Sequence, residues 1–133
     1  MEMEISFPGG KRVDAEYRGI TIQTDQSIKN GGQGSAPEPF TLFLASIGTC
    51  AGIYVLSFCQ QRKIPTDNIK IIQRMEDSPD GKMVAKMIID IQLPSDFPEK
   101  YRKAVISSAQ LCAVKKHLEV PPEFSIITSI KGE

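Results

Sequence analysis

The chain has 133 residues, 41% of them apolar and 24% charged, with sixteen basic side chains against sixteen acidic ones. That is the composition of an ordinary soluble globular protein of one domain, spanning 1–133 and large enough to bury a core. The even balance, with no run of like charge, supports neither a nucleic-acid tail nor a basic membrane-binding surface. Met1-Glu2-Met3-Glu4 lacks the basic region and long apolar stretch of a secretory signal. Three cysteines, an odd number, do not make the disulfide framework of a small secreted protein, so a reducing cytoplasm is the expected compartment.

From Ile5 to Thr24 the pattern alternates. Arg12–Tyr17 and Ile20–Thr24 each have period two and meet at Arg18-Gly19, which predicts a hairpin or meander. Asn30-Gly31-Gly32-Gln33-Gly34-Ser35 reads as a flexible loop, closed by Pro37 and Pro39. Pro39 suits the first turn of a helix, where its missing N–H would be unpaired anyway. The helix is expected to run from about Pro39 to Arg62, where Ile64-Pro65 stops it. Its run from Phe40 to Cys59 approaches the roughly 20 residues that span a bilayer. Thr41, Ser46, Gly48, Thr49, Gly52 and Ser57 dilute it, so it is read as a central buried helix and no membrane partner is expected. Thr66–Arg74 and Lys82–Leu93 read as strands joined by a turn at Asp77-Ser78-Pro79-Asp80-Gly81. Ser95 can cap a second helix, with Glu99 and Lys100 in its early turns. Tyr101, Ala104, Val105, Ser108 and Cys112 share one stripe of that helix. Val120-Pro121-Pro122 ends the region, and Phe124 to Ile130 reads as a last strand.

The first helix carries the most informative residues. Gly48 and Gly52 stand two positions either side of Cys50, although a glycine inside a helix costs about 1 kcal/mol against alanine. They leave room beside the sulfur for another chain segment or a substrate, and Cys112, 62 residues on, is a candidate for that segment. Cys59 lies nine residues from Cys50, half a turn beyond two turns, and roughly 13 Å along the axis. These two cannot meet in a disulfide, and Cys59 reads as core. Lys115 and Lys116 near Cys112 can favour a thiolate, the nucleophilic form. His117 is a weaker candidate for a proton carrier. No cysteine or histidine pair has zinc-ligand spacing, and Gly31-Gly32-Gln33-Gly34 lacks the lysine and Ser/Thr of a phosphate loop, so no metal or other cofactor is expected.

The segment Pro39-Phe40-Thr41-Leu42-Phe43-Leu44-Ala45-Ser46-Ile47-Gly48-Thr49-Cys50, with Ala109-Gln110-Leu111-Cys112-Ala113-Val114 far downstream, resembles the OsmC/Ohr superfamily of osmotically inducible and organic hydroperoxide resistance proteins. The order of elements matches too. The resemblance implies an α+β fold: N-terminal strands, a long central cysteine helix, a β-hairpin, a second cysteine helix and a final strand, in an intertwined homodimer. It implies a thiol-dependent peroxidase acting on small organic hydroperoxides, with Cys50 as the peroxidatic residue, Cys112 as the resolving one and an external dithiol as reductant. Where the family often has a glutamate just after the helix-opening proline, this chain has Phe40 and Thr41, leaving Glu38 as the nearby carboxylate. The usual Cys-Pro is Cys112-Ala113. Arg12 resembles the thiolate-holding arginine of the organic-hydroperoxide branch, Lys29 lies nearer the position in the other branch, and Arg18 is a third candidate. The alternative function on the same scaffold is a non-enzymatic binding or redox-sensing protein that holds an apolar ligand beside Cys50. A purely structural thiol pair is the third reading.

Overall fold

A computed structural model of the chain describes residues 1–132 and has three β-strands, a long helix, a two-stranded hairpin and two short helices in that order. The expected α+β class is the one observed. Backbone contacts divide the chain into two units, one covering Met1–Ser46 and the other starting at Ile47.

In the first unit, β1 (Glu4–Gly9), β2 (Arg12–Tyr17) and β3 (Ile20–Thr24) form an antiparallel meander in the order β1-β2-β3. The β2–β3 register, from Tyr17 opposite Ile20 to Val13 opposite Thr24, follows from a two-residue turn in which Arg18 and Gly19 both have positive φ, 52° and 77°. That is the conformation whose twist matches paired strands. The Gly-rich loop after β3 is not the flexible stretch expected. Asp25, 1% exposed, accepts hydrogen bonds from the backbone N–H groups of Gln26 (2.7 Å), Gln33 (3.3 Å) and Ser35 (3.0 Å) and from the Ser35 hydroxyl (2.6 Å). The Ser35 hydroxyl, then the backbone donors, lower the Asp25 carboxyl to about 2. Gly32 is required there, because a Cβ would run into the Gln26 carbonyl.

Helix α1 (Pro39–Gln61) begins in this unit and continues into the next. It ends one residue earlier than expected. Lys63 takes a left-handed φ of 55° and the N–H groups of Arg62 and Ile64 close on the Cys59 carbonyl, a common way to finish a helix. The expected central buried helix is buried along one face. The buried residues, Ile47, Ala51, Val55, Phe58 and Cys59, make one stripe, while Phe40 and Ile53 are about half exposed. The helix is long and apolar enough to cross a membrane, and a core helix of a globular protein passes the same test.

In the second unit, β4 (Lys70–Asp77) and β5 (Val84–Gln92) pair antiparallel from Lys70 opposite Gln92 to Asp77 opposite Val84. The turn falls close to where Asp77–Gly81 placed it. β4 begins later than Thr66 because Thr66 to Ile69 is spent on a turn, with the Ile69 N–H on the Thr66 carbonyl. The core gathers Val55, Phe58, Cys59, Phe97 and Val105, packed by Ile64, Ile71, Ile91 and Tyr101 among others. Phe58 and Tyr101 meet edge to face at 5.7 Å.

The C-terminal third departs most from expectation. Ser95 does not cap the second helix. A 3-10 turn over Glu99–Tyr101, entered through Pro98, leads into α2 (Arg102–Ala109). The single cysteine helix is two helices: the Leu111 N–H closes on the Ser108 carbonyl, Cys112 turns extended (φ −48°, ψ 123°), and α3 (Ala113–Glu119) starts afresh. The last strand expected from Phe124 to Ile130 has no ladder pairing. Strand hydrogen bonds need a partner edge, and Phe124, Ile126 and Ile127 are 86%, 96% and 82% exposed.

Candidate functional site

The stripe of α1 that carries Ile47, Ala51 and Val55 places Cys50 beside the Cys112 turn. The Ser108 hydroxyl donates to the Tyr54 carbonyl across 3.0 Å, tying the end of α2 to α1 one turn beyond Cys50. Cys50 is partly exposed, Cys112 is 2% exposed and Cys59 is fully buried. The two thiols singled out by their sequence surroundings are therefore brought together, and the Cys112 thiol hydrogen-bonds the Cys50 sulfur. Cys59 is separate, in the core, as the helical geometry required. Burial raises its thiol above the ordinary range, with Arg62 opposing.

The two thiols have opposite acidities. Cys50 is lowered, first by the backbone N–H of Val114, then by the Cys112 thiol, with the Ala113 N–H adding to these and partial burial opposing them. Cys112 is raised, first by burial and also by Cys50, although the Lys115 N–H bonds its sulfur at 3.4 Å. Cys50 is thus the more acidic of the two thiols and the first to ionise. The first four N–H groups of a helix have no partner within it, and at α3 the sulfurs take three of them. The Ala113 N–H serves Cys50, the Val114 N–H serves both sulfurs, and the Lys115 N–H serves Cys112. These backbone donors were missed in the sequence because cysteine is not a usual helix cap. The break after Ala109 that frees them leaves no compositional mark.

The side chain of Lys115, one of the two lysines expected to favour the thiolate, pairs with Glu119 at 3.0 Å, and its backbone N–H bonds the Cys112 sulfur. His117 is exposed and its Nδ1 lies 2.6 Å from the Ala113 carbonyl, to which it donates. Gly48 and Gly52 also differ from expectation. They make room for β4 rather than for the Cys112 turn: a Cβ at Gly48 would run into Gln73 Oε1, and one at Gly52 would touch Ile71 at 3.7 Å. Of the cationic and acidic candidates, Arg12 lies on β2 with its guanidinium 3.5 Å from Asp14. Arg18 stacks over Tyr17 at 5.0 Å, and Lys29 sits in the 3-10 turn Ile28–Asn30. Glu38 precedes α1, and its carbonyl accepts the Leu42 N–H. All four belong to the first unit.

A cavity of about 600 Å³ opens beside the turn, walled by the α1 residues Ile47 and Ala51, by Met87 on β5, Ile106 on α2 and Leu118 on α3. Of the two thiols it is Cys112 that lines it, with Lys86 and Lys115 supplying positive charge among the apolar walls. Among the described residues no group of three or more His, Cys, Asp or Glu is placed to hold a metal ion.

Two adjacent thiols of unlike acidity, set between a long helix and a capped turn on an α+β scaffold, define the class of site. The family model described as OsmC-like protein matches residues 32–127, from the Gly-rich loop through both cysteines, and the chain belongs to that family. Among solved structures, one from Psychrobacter arcticus, described as an osmotic stress induced and detoxification response protein, is 22% identical with a TM-score of 0.70, covering 86% of this chain and 85% of its own. An organic hydroperoxide resistance protein OsmC from Legionella pneumophila is 15% identical with a TM-score of 0.54, covering 89% of each chain. A Vibrio cholerae protein described as an organic hydroperoxide resistance protein, with captopril in one of its active sites, is 16% identical with a TM-score of 0.54, covering 91% of this chain and 86% of its own. At these identities the likeness establishes the fold. A comparison with curated protein sequences gives no match.

Proposed function

We propose that the protein is a cysteine-based peroxidase that reduces small organic hydroperoxides in the cytoplasm, with Cys50 as the attacking thiol and Cys112 as the resolving one. The observation that carries the reading is the juxtaposition of the two thiols at the α3 turn, where backbone N–H groups favour the Cys50 thiolate and burial disfavours that of Cys112. In the first step the Cys50 thiolate attacks the outer oxygen of the hydroperoxide. An S–O bond forms, the O–O bond breaks, and the departing alkoxide takes up a proton to leave as alcohol, with Cys50 as sulfenic acid. In the second, the Cys112 sulfur attacks the Cys50 sulfur and hydroxide leaves with the Cys112 proton as water. The net exchange is two thiols and one hydroperoxide for one disulfide, one alcohol and one water. An external dithiol restores both thiols by exchange. Backbone N–H groups of the α3 turn hold the thiolate in this scheme, so no side-chain cation has to approach Cys50 for it to ionise. Family membership and neighbours described as hydroperoxide resistance proteins support the reading.

We also propose a homodimer. The apolar residues Phe7, Ile53, Phe124, Ile126 and Ile127 are more than half exposed in a single chain, far more than a soluble monomer usually leaves uncovered. The test of the activity is stopped-flow consumption of cumene hydroperoxide and of hydrogen peroxide by the reduced protein and by Cys50→Ser and Cys112→Ser. Fast consumption by the wild type, abolished in Cys50→Ser, is the expected result. Cys112→Ser should perform one turnover and then over-oxidise at Cys50 to sulfinic acid. The apolar cavity beside Cys112 favours a second reading, a binding protein for an apolar ligand. A wild type no faster than a free thiol would move the assignment there.

A further inference from the structure

Cys112 holds three positions at once. It is hydrogen-bonded to Cys50, its sulfur caps α3, and it lines the cavity of which Lys115 and Leu118 of α3 form another part of the wall. Helix α3 has little else to keep it folded. It is seven residues long, none of them is buried, and its Lys115–Glu119 ion pair is solvent-exposed and worth little. Seven residues are far below the length at which a helix persists unaided in water. The N–H groups of Ala113, Val114 and Lys115 end on the two sulfurs, and the Lys116 N–H lies 3.1 Å from the Cys112 carbonyl.

We propose that oxidation of the Cys50–Cys112 pair uncaps α3 and loosens the cavity wall it forms, so that the fold carries a redox-controlled gate. The inference rests on the peroxidase reading. The covalent step is the one given above: a hydroperoxide accepts two electrons from the two thiols, an S–S bond forms, and alcohol and water leave. The bond turns two thiols into a disulfide, a poorer partner for N–H groups, and draws the Cys112 sulfur toward Cys50 and away from the Lys115 N–H that it accepts at 3.4 Å when reduced. The first turn of α3 then has unsatisfied donors and frays, taking Leu118 off the cavity. The gate opens in the oxidised state, the state that must admit a dithiol to a half that is otherwise buried at Cys112.

The experiment is hydrogen exchange at the amides of residues 113–118, with thiols counted in each sample. The samples are reduced wild type, wild type treated with tert-butyl hydroperoxide, and the reduced variants Cys112→Ser and Cys112→Ala. Reduced wild type and Cys112→Ser, whose hydroxyl is a good cap, should exchange slowly. Oxidised wild type and Cys112→Ala should exchange about fivefold faster, the effect of losing one N-cap. A disulfide that forms while the α3 amides stay protected overturns the gate and leaves the peroxidase reading standing. Protected amides in Cys112→Ala overturn it as well. Retention of all thiols after peroxide defeats the peroxidase reading and the gate together.

Discussion

Gly48 and Gly52 provide a sharp perturbation, because the structure assigns their clearance to β4 and not to the thiol. At Gly52 an added Cβ would meet Ile71 Cδ1 at 3.7 Å, an ordinary van der Waals contact. Nothing is lost there, and the helix gains the difference in propensity between alanine and glycine, about 1 kcal/mol. In a chain of this size Gly52→Ala should raise the thermal midpoint by about 3–4 °C. At Gly48 the same methyl runs into Gln73 Oε1, so the propensity gain is set against displacement of the Gln73 amide from β4. Gly48→Ala should therefore fall below Gly52→Ala and lie near or under the wild type. Both variants should keep Cys50 as reactive toward iodoacetamide as in the wild type, since neither methyl points at the sulfur's donors. The assays are thermal unfolding followed by circular dichroism and alkylation rates under the same conditions. A Gly52→Ala protein that is destabilised, or whose Cys50 becomes slow, would refute the assignment of that space to β4.

Two further outcomes follow from the acidities. Cys50 should alkylate with a midpoint below the ordinary thiol value of about 8.5, and Cys112 and Cys59 above it, so mass spectrometry of samples pulsed at rising pH should find Cys50 labelled first. Labelling of Cys112 ahead of Cys50 would reverse the assigned roles. Asp25, held at about 2 when folded against roughly 3.9 unfolded, contributes stability that is complete above the unfolded value and disappears as pH falls through the folded one. The unfolding midpoint of the wild type should thus drop between pH 5 and pH 2. Asp25→Asn should be less stable at neutral pH and show a shallower acid limb, and superimposable limbs would count against the carboxylate's role in ordering the loop.

Much of this architecture is written in local pattern. Period-two alternation around Arg18-Gly19 suffices for the meander, Pro39 and Ile64-Pro65 bracket α1, and Asp77–Gly81 marks the β4–β5 turn. The closeness of Cys50 and Cys112 is legible from their surroundings and the family resemblance. What escaped depends on contacts between distant residues. Asp25 organises donors eight and ten residues away, so its neighbourhood reads as a plain Gly-rich loop. The occupant of the space at Gly48 and Gly52 is a strand some twenty residues on. Cys112 follows Val105 at helical spacing in the sequence, so the periodicity gives no sign that the helix has stopped before it. Phe124–Ile130 has the apolar content of a strand and lacks, in a single chain, the edge that would make it one.

The most direct measurement is peptide mapping by mass spectrometry after one equivalent of tert-butyl hydroperoxide, under denaturing alkylation. The account predicts one Cys50–Cys112 disulfide per chain with Cys59 alkylated and unoxidised. Three alkylated cysteines, or a disulfide that includes Cys59, would contradict it.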